Sequence, residues 1–183
     1  TGGLSTAMDE FFASFGDLSL NTDDVNLQSE VLSKAQTLVT YMNNLSTAVS
    51  NMNEMAFSES LSTTDRINLL AKQIAELNQE IYNQKIRGHD SNNTLDQRDA
   101  LIKELSGLIG VRTYTRDNGM VDIIASDVSL VIGSQYTEVE VGLVNNDGMY
   151  ELGLRPSGTD TYDTRVSGGT LGGLFELYNS IIS

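Results

Sequence analysis

Residues 24–87 read DVNLQSEVLSKAQTLVTYMNNLSTAVSNMNEMAFSESLSTTDRINLLAKQIAELNQEIYNQKIR, and nearly all of this stretch carries the pattern of a helix. In its first half apolar residues return every seven positions: Val31, Leu38, Leu45 and Met52 form one row, and Ala35, Met42, Val49 and Ala56 the row beside it. Such rows are the a and d positions of a packing seam. Beyond Phe57 the pattern lapses, then resumes at Ile67, Leu70, Ile74, Leu77 and Ile81. From Ala56 to Ile67 is eleven residues rather than seven. A continuous helix absorbs that offset as a stutter. The alternative is a break at Ser58–Thr64, where Ser and Thr are dense and helix propensity is poor. Unbroken, the segment spans ~95 Å at 1.5 Å per residue, a length that suits a filament or tether better than a compact enzyme.

The whole chain has 183 residues, 39% of them apolar and 20% charged, which fits one domain or two small ones. Trp is absent and Phe and Tyr are few, so burial must be mostly aliphatic. A formal net charge of −14 makes duplex DNA and anionic membranes poor partners. No basic cluster offsets this: the first sixty residues hold one Lys (Lys34) and no Arg. The absence of Cys excludes disulfides and thiolate metal sites, and suits a protein exported unfolded. There is no signal-peptide pattern and no apolar run of spanning length. An opening of Thr1-Gly2-Gly3 without Met, and an end at Ser183 inside a nascent helix, lead us to expect an excised piece of a longer protein.

Outward from the long helix, Leu4, Met8, Phe11, Phe12 and Phe15 lie at helical spacing, with Gly16 as the expected stop. Docking onto the long helix is the expected cover for the three Phe. Asn21 to Asp24 supplies N-cap chemistry. Gly88, after Lys85 and Arg87, reads as a C-terminal stop. Asn93 or Thr94 is expected to cap a further helix from Leu95 to about Ile109, closed by Gly110. After that the pattern turns to short strands: Val111–Tyr114, Val121–Ile124, Leu130–Ile132, Tyr136–Val141 and Met149–Leu154. Turns fall at Asp117-Asn118-Gly119, Gly133-Ser134 and Asn145–Gly148, so the strands are antiparallel. Pro156 to Ser167 reads as polar loop with room for one more strand, and a last helix runs through Leu171, Leu174, Phe175, Leu177, Tyr178 and Ile181. The expected class is α+β: a long antiparallel helical bundle over 1–110, then a small antiparallel β domain with a C-terminal helix over 111–183, incomplete in this chain.

The chemical motifs are weak. Asp90, Asn92, Thr94 and Asp96 alternate like a calcium loop, but the sixth position is Leu95 rather than Gly and the twelfth is Leu101 rather than Glu. Gly168 to Gly173 ahead of a helix resembles a phosphate loop without its Lys-Ser/Thr ending. Glycine flexibility at a β-to-helix junction accounts better for Gly168 and Gly169. His89 is the only His and sits in a polar turn. Asp96 and Asp99 suit the first turn of a helix, where the dipole favours carboxylates. We expect no enzyme, no cofactor and no metal.

One run is more specific. Leu95-Asp96-Gln97-Arg98-Asp99, preceded by Ser91-Asn92-Asn93-Thr94, resembles the Asn-x-Leu-Leu-Asp-x-Arg-Asp signature of the FlgK family, the flagellar hook-associated protein 1 family. Ile67-Asn68, Lys72-Gln73-Ile74-Ala75 and Leu77-Asn78 are similar to that family's Ile-Asn … Ile-Ala-x-Leu-Asn helix. Leu130-Val131-Ile132-Gly133 and the run Ser167 to Leu174 also resemble it, in the family's order. The family's Pro near Thr22 and Arg near Leu27 or Gln28 are missing here. The resemblance implies a structural protein of the bacterial flagellum, forming a ring at the junction of hook and filament. It also implies export by the flagellar type III pathway without a cleaved signal peptide. The implied partners are hook protein, a neighbouring junction protein, further copies in a ring, and an export chaperone whose site lies outside this chain; nucleic acid and membrane are not among them. The rival reading is another coiled-coil secreted assembly protein: a flagellin-like junction or cap protein, a secretion-needle protein, or an adhesin. An enzyme bearing a helical hairpin comes third.

Three physical expectations complete the reading. The chain is a soluble monomer with the Val31–Met52 seam buried within it. The strands after Gly110 form a separate, less stable unit. On a wheel of Leu95–Ile109, Arg98 falls inside the apolar face formed by Leu95, Leu101, Ile102, Leu105, Leu108 and Ile109. It either snorkels or is buried and paired with a carboxylate or helix-end carbonyls, Asp99, Glu76 and Glu80 being the candidate partners, and so fixes the register of its helix against the long one.

Overall fold

The computed structural model describes residues 3–89 and 91–182, the side chains of the last two excepted. Its helices are α1 (Leu4–Leu20), α2 (Val25–Ile86), α3 (Asn92–Leu108) and α4 (Gly169–Glu176), the last running into a π-helical stretch, Leu177–Ile182. Between α3 and α4 lie β1 (Val111–Thr115), β2 (Val121–Ala125), β3 (Val128–Ile132), β4 (Gln135–Tyr136), β5 (Val139–Asn146) and β6 (Met149–Pro156). The class is α+β. Two sheets replace the five-strand set expected: an antiparallel β1-β2-β3-β4 sheet and a separate β5-β6 hairpin. The extra strand in the polar loop reduces to a single bridge, Leu154 with Asp163.

α2 is one unbroken helix. It passes through the Ser/Thr-rich stretch because the hydroxyls find acceptors on their own helix. Ser60 Oγ donates to Ala56 C=O and Thr64 Oγ1 to Ser60 C=O, both at 2.7 Å, so Ser60 and Thr64 are buried without an unmet donor. Asp24 caps its start, accepting the N–H of Asn26 at 2.8 Å. Its end is a Schellman motif: His89 N–H donates to Gln84 C=O and Gly88 N–H to Lys85 C=O, with Gly88 at φ +67°. The next cap differs from expectation. Ser91 occupies the N-cap of α3 with no side-chain bond, and Thr94 is buried against Gln84 instead.

The chain divides into two compact units, residues 1–52 and 53–183. The boundary expected between residues 110 and 111 falls inside the second.

In the first unit α1 runs past Gly16 to Leu20, so that glycine does not stop it. The three Phe contact one another, Phe11 to Phe12 at 5.3 Å and Phe11 to Phe15 at 6.2 Å between centroids. Only Phe11 is partly covered: Phe12 is 63% exposed and Phe15 56%. Nor is the heptad seam closed. Val31 and Leu38 are half-buried, whereas Leu45 and Met52 are 52% and 44% exposed. The reason is length. Lys34 pairs with Glu10 at 2.8 Å, so the antiparallel α1, only 17 residues long, runs out before it reaches Leu45.

In the second unit one core unites helix and sheet. Ile67, Leu70 and Ile74 of α2 join Leu105 of α3, Ile109, Ile123 of β2, Leu130 of β3, Leu152 and Leu154 of β6, and Leu171 and Phe175 of α4, all essentially inaccessible. Each side chain of this size contributes about 1.5–3 kcal/mol by full burial. The β-rich part is therefore not independent of the helices: its inner faces are their core. On the β5-β6 hairpin, Gly142 faces Gly153 across the ladder, and Tyr162 lies over both. A Cβ on Gly153 would come within 2.7 Å of Tyr162 Cβ. The Arg155 guanidinium stacks 4.6 Å from the centre of the Tyr162 ring.

Candidate functional site

Arg98 lies on the inward face of α3, where the apolar spacing puts it, and its side chain is 6% exposed. Its main partner is no carboxylate. Nη1 donates to the Gly119 carbonyl at 2.7 Å and to Asn78 Oδ1 at 3.3 Å. Nη2 reaches Asp99 Oδ1 at a long 3.4 Å, and that carboxylate is 68% exposed. Glu76 and Glu80, the other expected partners, line an open groove with Gln73, Leu77, Gln97, Ala100 and Leu101. Within the signature run Leu95 is half-buried and Asp96 exposed. The structure thus brings Arg98 and Asp99 together weakly and leaves Asp96 in solvent.

Asn78 is the centre of the site. It is fully buried and uses its whole hydrogen-bonding capacity. Its Nδ2 donates to Val121 C=O at 2.8 Å and Gly133 C=O at 2.7 Å; its Oδ1 accepts Val121 N–H at 3.1 Å besides Arg98. The amide thus continues the β2-β3 ladder where the strands part. Two more asparagines do the same. Asn68 exchanges both bonds with Val139 at 2.9 Å, at the start of β5. Asn179 accepts Leu152 N–H at 2.7 Å and donates to Leu152 C=O at 3.0 Å. Each amide stands in for a strand residue, meeting backbone groups that would be costly to bury unpaired.

The β1-β2 hairpin that delivers Gly119 is held from its other side. Asp122 accepts Arg116 Nε at 2.8 Å and Gly133 N–H at 2.8 Å. Burial works against the charged form of Asp122. The Arg116 hydrogen bond, the Gly133 N–H and the Arg116 charge outweigh it and hold the carboxyl below its usual range.

Gly168 and Gly169 serve close approach. Gly110 N–H donates to Ser167 C=O at 3.1 Å, and a Cβ on Gly169 would overlap the backbone at Leu108 and Ile109. The start of α4 therefore seats on the end of α3, with φ +76° and +65° at the two glycines. The two glycines are thus accounted for by the packing of α4 on α3. Among the described residues no group of three or more His, Asp or Glu could hold a metal ion; Asp90 of the calcium-like run lies outside them. The arrangement grips backbone, and its chemistry is that of a joint between α2, α3 and the two sheets.

Over residues 1–183 the chain matches the model of the flagellar hook-associated protein FlgK helical domain. The chain belongs to the FlgK helical-domain family. Flagellar hook-associated protein 1 of Escherichia coli K12 is 34% identical over 137 residues, 73% of this chain and 25% of that protein. The protein of the same name from Bacillus subtilis 168 is 30% identical over 118 residues, 64% of this chain and 23% of that protein. The chain therefore spans about a quarter of the length of these FlgK-family relatives. The flagellar hook junction protein FlgK from Burkholderia pseudomallei shares the fold, with a TM-score of 0.84 at 24% identity over 100% of this chain and 34% of that one.

Asn68 and Asn78 carry part of the FlgK resemblance, but sequence reasoning gave them no role. A signal existed. Asn78 falls four residues after Ile74 and three before Ile81, on the apolar stripe of α2, where a poor helix former needs a reason. Asn179 gives no such warning.

Proposed function

We propose that this chain is the helical-domain portion of a structural, non-enzymatic protein at the junction of the flagellar hook and filament. The match of the whole chain to the FlgK helical-domain model carries this reading. In it, 1–110 supplies the helical part and 111–183 the β-rich part. The intact protein is exported by the flagellar type III pathway, assembles with hook protein, a neighbouring junction protein and further copies of itself in a ring, and is escorted by a chaperone bound elsewhere on the polypeptide. Leu95, Asp96, Arg98, Asp99, Gly168 and Gly169 have structural roles: Arg98 holds the hairpin, and the glycines seat α4 on α3. The acidic balance of −14 is consistent with contacts to protein rather than to nucleic acid or membrane. Among the described residues no helix is long and apolar enough to cross a membrane.

The test is electron microscopy of cells lacking the parent gene. Hooks without filaments, with filament protein shed into the medium, are expected, and the full-length gene should restore filaments. Normal filaments in the deletion strain would reject the reading.

A further inference from the structure

Asn118 is followed by Gly119, the one Asn-Gly step in the sequence. In such a step the backbone nitrogen after asparagine reaches the side-chain amide with least hindrance, because glycine has no Cβ and a freely turning backbone. Here three contacts immobilise it. Gly119 N–H donates to Arg116 C=O at 2.9 Å. Asn118 Oδ1 accepts Met120 N–H at 3.1 Å. Gly119 C=O accepts the buried Arg98 guanidinium at 2.7 Å. Gly119 also sits at φ +90° against α2, where a Cβ would lie 3.2 Å from Ile81 Cγ2. The nucleophile is occupied, the electrophilic amide is fixed through its oxygen, and the peptide cannot rotate without leaving Arg98.

We propose that Asn118 is a latent self-modification site, a succinimide-forming asparagine that the Arg98 clamp holds unreactive. When the clamp opens, the Gly119 nitrogen gives its proton to solvent base and attacks Asn118 Cγ. The new C–N bond forms, the Cγ–Nδ2 bond breaks, and the amide nitrogen leaves as ammonia with a proton from water. Water then adds to one of the two ring carbonyls and opens the ring to aspartate or isoaspartate. One water is consumed, one ammonia is released, and nothing is oxidised or reduced. Isoaspartate carries the main chain through the side-chain carbon and lengthens it by one methylene. The Gly119 carbonyl is then displaced from Arg98, and either product adds a negative charge beside Asp117. An opening of the joint becomes a permanent mark.

The experiment incubates this chain, its Arg98→Lys variant and a urea-denatured sample in mildly alkaline buffer. In the tryptic peptide that begins at Asp117, conversion is located to residue 118 by fragment-ion mass spectrometry, because Asp147-Gly148 in the same peptide also forms isoaspartate, and is quantified with isoaspartyl methyltransferase labelling. The folded chain should convert at least about tenfold more slowly than the denatured one, and Arg98→Lys, which keeps at most one of the two acceptors, should convert measurably faster than the wild type, because the rate follows the open fraction. Asn179, ahead of Ser180, is the internal control and should stay unconverted in the variant. Equal rates in folded and denatured samples, or in wild type and a folded Arg98→Lys, would overturn the proposal. So would a parallel rise at Asn179, which would mean general unfolding. Should Arg98→Lys not fold, the wild type in sub-denaturing urea decides: conversion must track hydrogen exchange of the Gly119 amide, and failure to track overturns it.

Discussion

Arg98 places a full charge where two neutral oxygens do most of the work of an anion. Carbonyl dipoles can hold a buried guanidinium because the planar donor set distributes its charge over several bonds. Arg98→Ala removes the donor from a buried carbonyl and empties the space of a long side chain. Urea melts should show a loss of ~2–4 kcal/mol, with Arg98→Lys recovering part of it by reaching one acceptor. An unchanged melt would mean the guanidinium is dispensable. Asn78→Ala is expected to cost more, ~3–5 kcal/mol, since it orphans the Val121 N–H and C=O and the Gly133 C=O together. Asn83→Ala on the exposed side of the same helix should stay within ~0.5 kcal/mol. Arg98's inward position was legible, because helical period alone fixes it. Its partners were not. Gly119 and Asn78 lie 21 and 20 residues away along the chain, and only the packing of a hairpin on two helices brings them there. Sequence can name carboxylates or helix-end carbonyls as acceptors, but the carbonyl of a hairpin turn becomes a partner only through tertiary packing.

At the level of elements, the strands and their turns were readable from alternation and from Asn, Asp and Gly. The division into two sheets was not. It depends on β4 ending after two residues and on Asn68 taking up the backbone of Val139 at the start of β5. The β5-β6 hairpin rests on its paired glycines, so Gly153→Ala should force Tyr162 off the sheet at ~1–3 kcal/mol, read from thermal melts and from loss of the Arg155–Tyr162 stack. A variant as stable as the wild type would show that Tyr162 yields freely. The β1-β2 hairpin should respond to acid through Asp122. Its carboxyl is depressed in the folded state, so its contribution is fully present above the unfolded carboxylate range, near ~4, and disappears as pH falls through the lower folded value. The Gly133 amide resonance should move with that titration. An amide insensitive to acid would break the link.

For the whole chain, the long helix was plain from its repeat, whereas its passage unbroken through Ser58–Thr64 was open between two readings until the structure showed one helix. What the repeat could not say is where along the helix a seam would be filled. A heptad row marks a face that fits a partner; it carries no information on how far the partner extends. Beside Leu45 no part of α1 remains, and the described residues of the first unit bury only Ala7 and Ser14 fully. Hydrogen exchange of this chain should therefore be fast across residues 31–49 and slow across 67–81. The sheet amides at Ile123 and Leu152 should protect together with 67–81, since they share one core. Independent opening of the strands would restore the separate β unit expected from sequence. Asn68 holds the first strand of one sheet and Asn78 the second strand of the other, ten positions apart on a rigid helix. The spacing of the sheets is thus written as a residue count, ~15 Å of helix. Loops elsewhere tolerate changes in length, but one residue inserted or deleted between these two swings an amide ~100° around the axis and strands the backbone it served. Along that stretch the exposed positions can change their letters, and none of the ten can be lost or doubled, because the count itself sets where the two sheets are held.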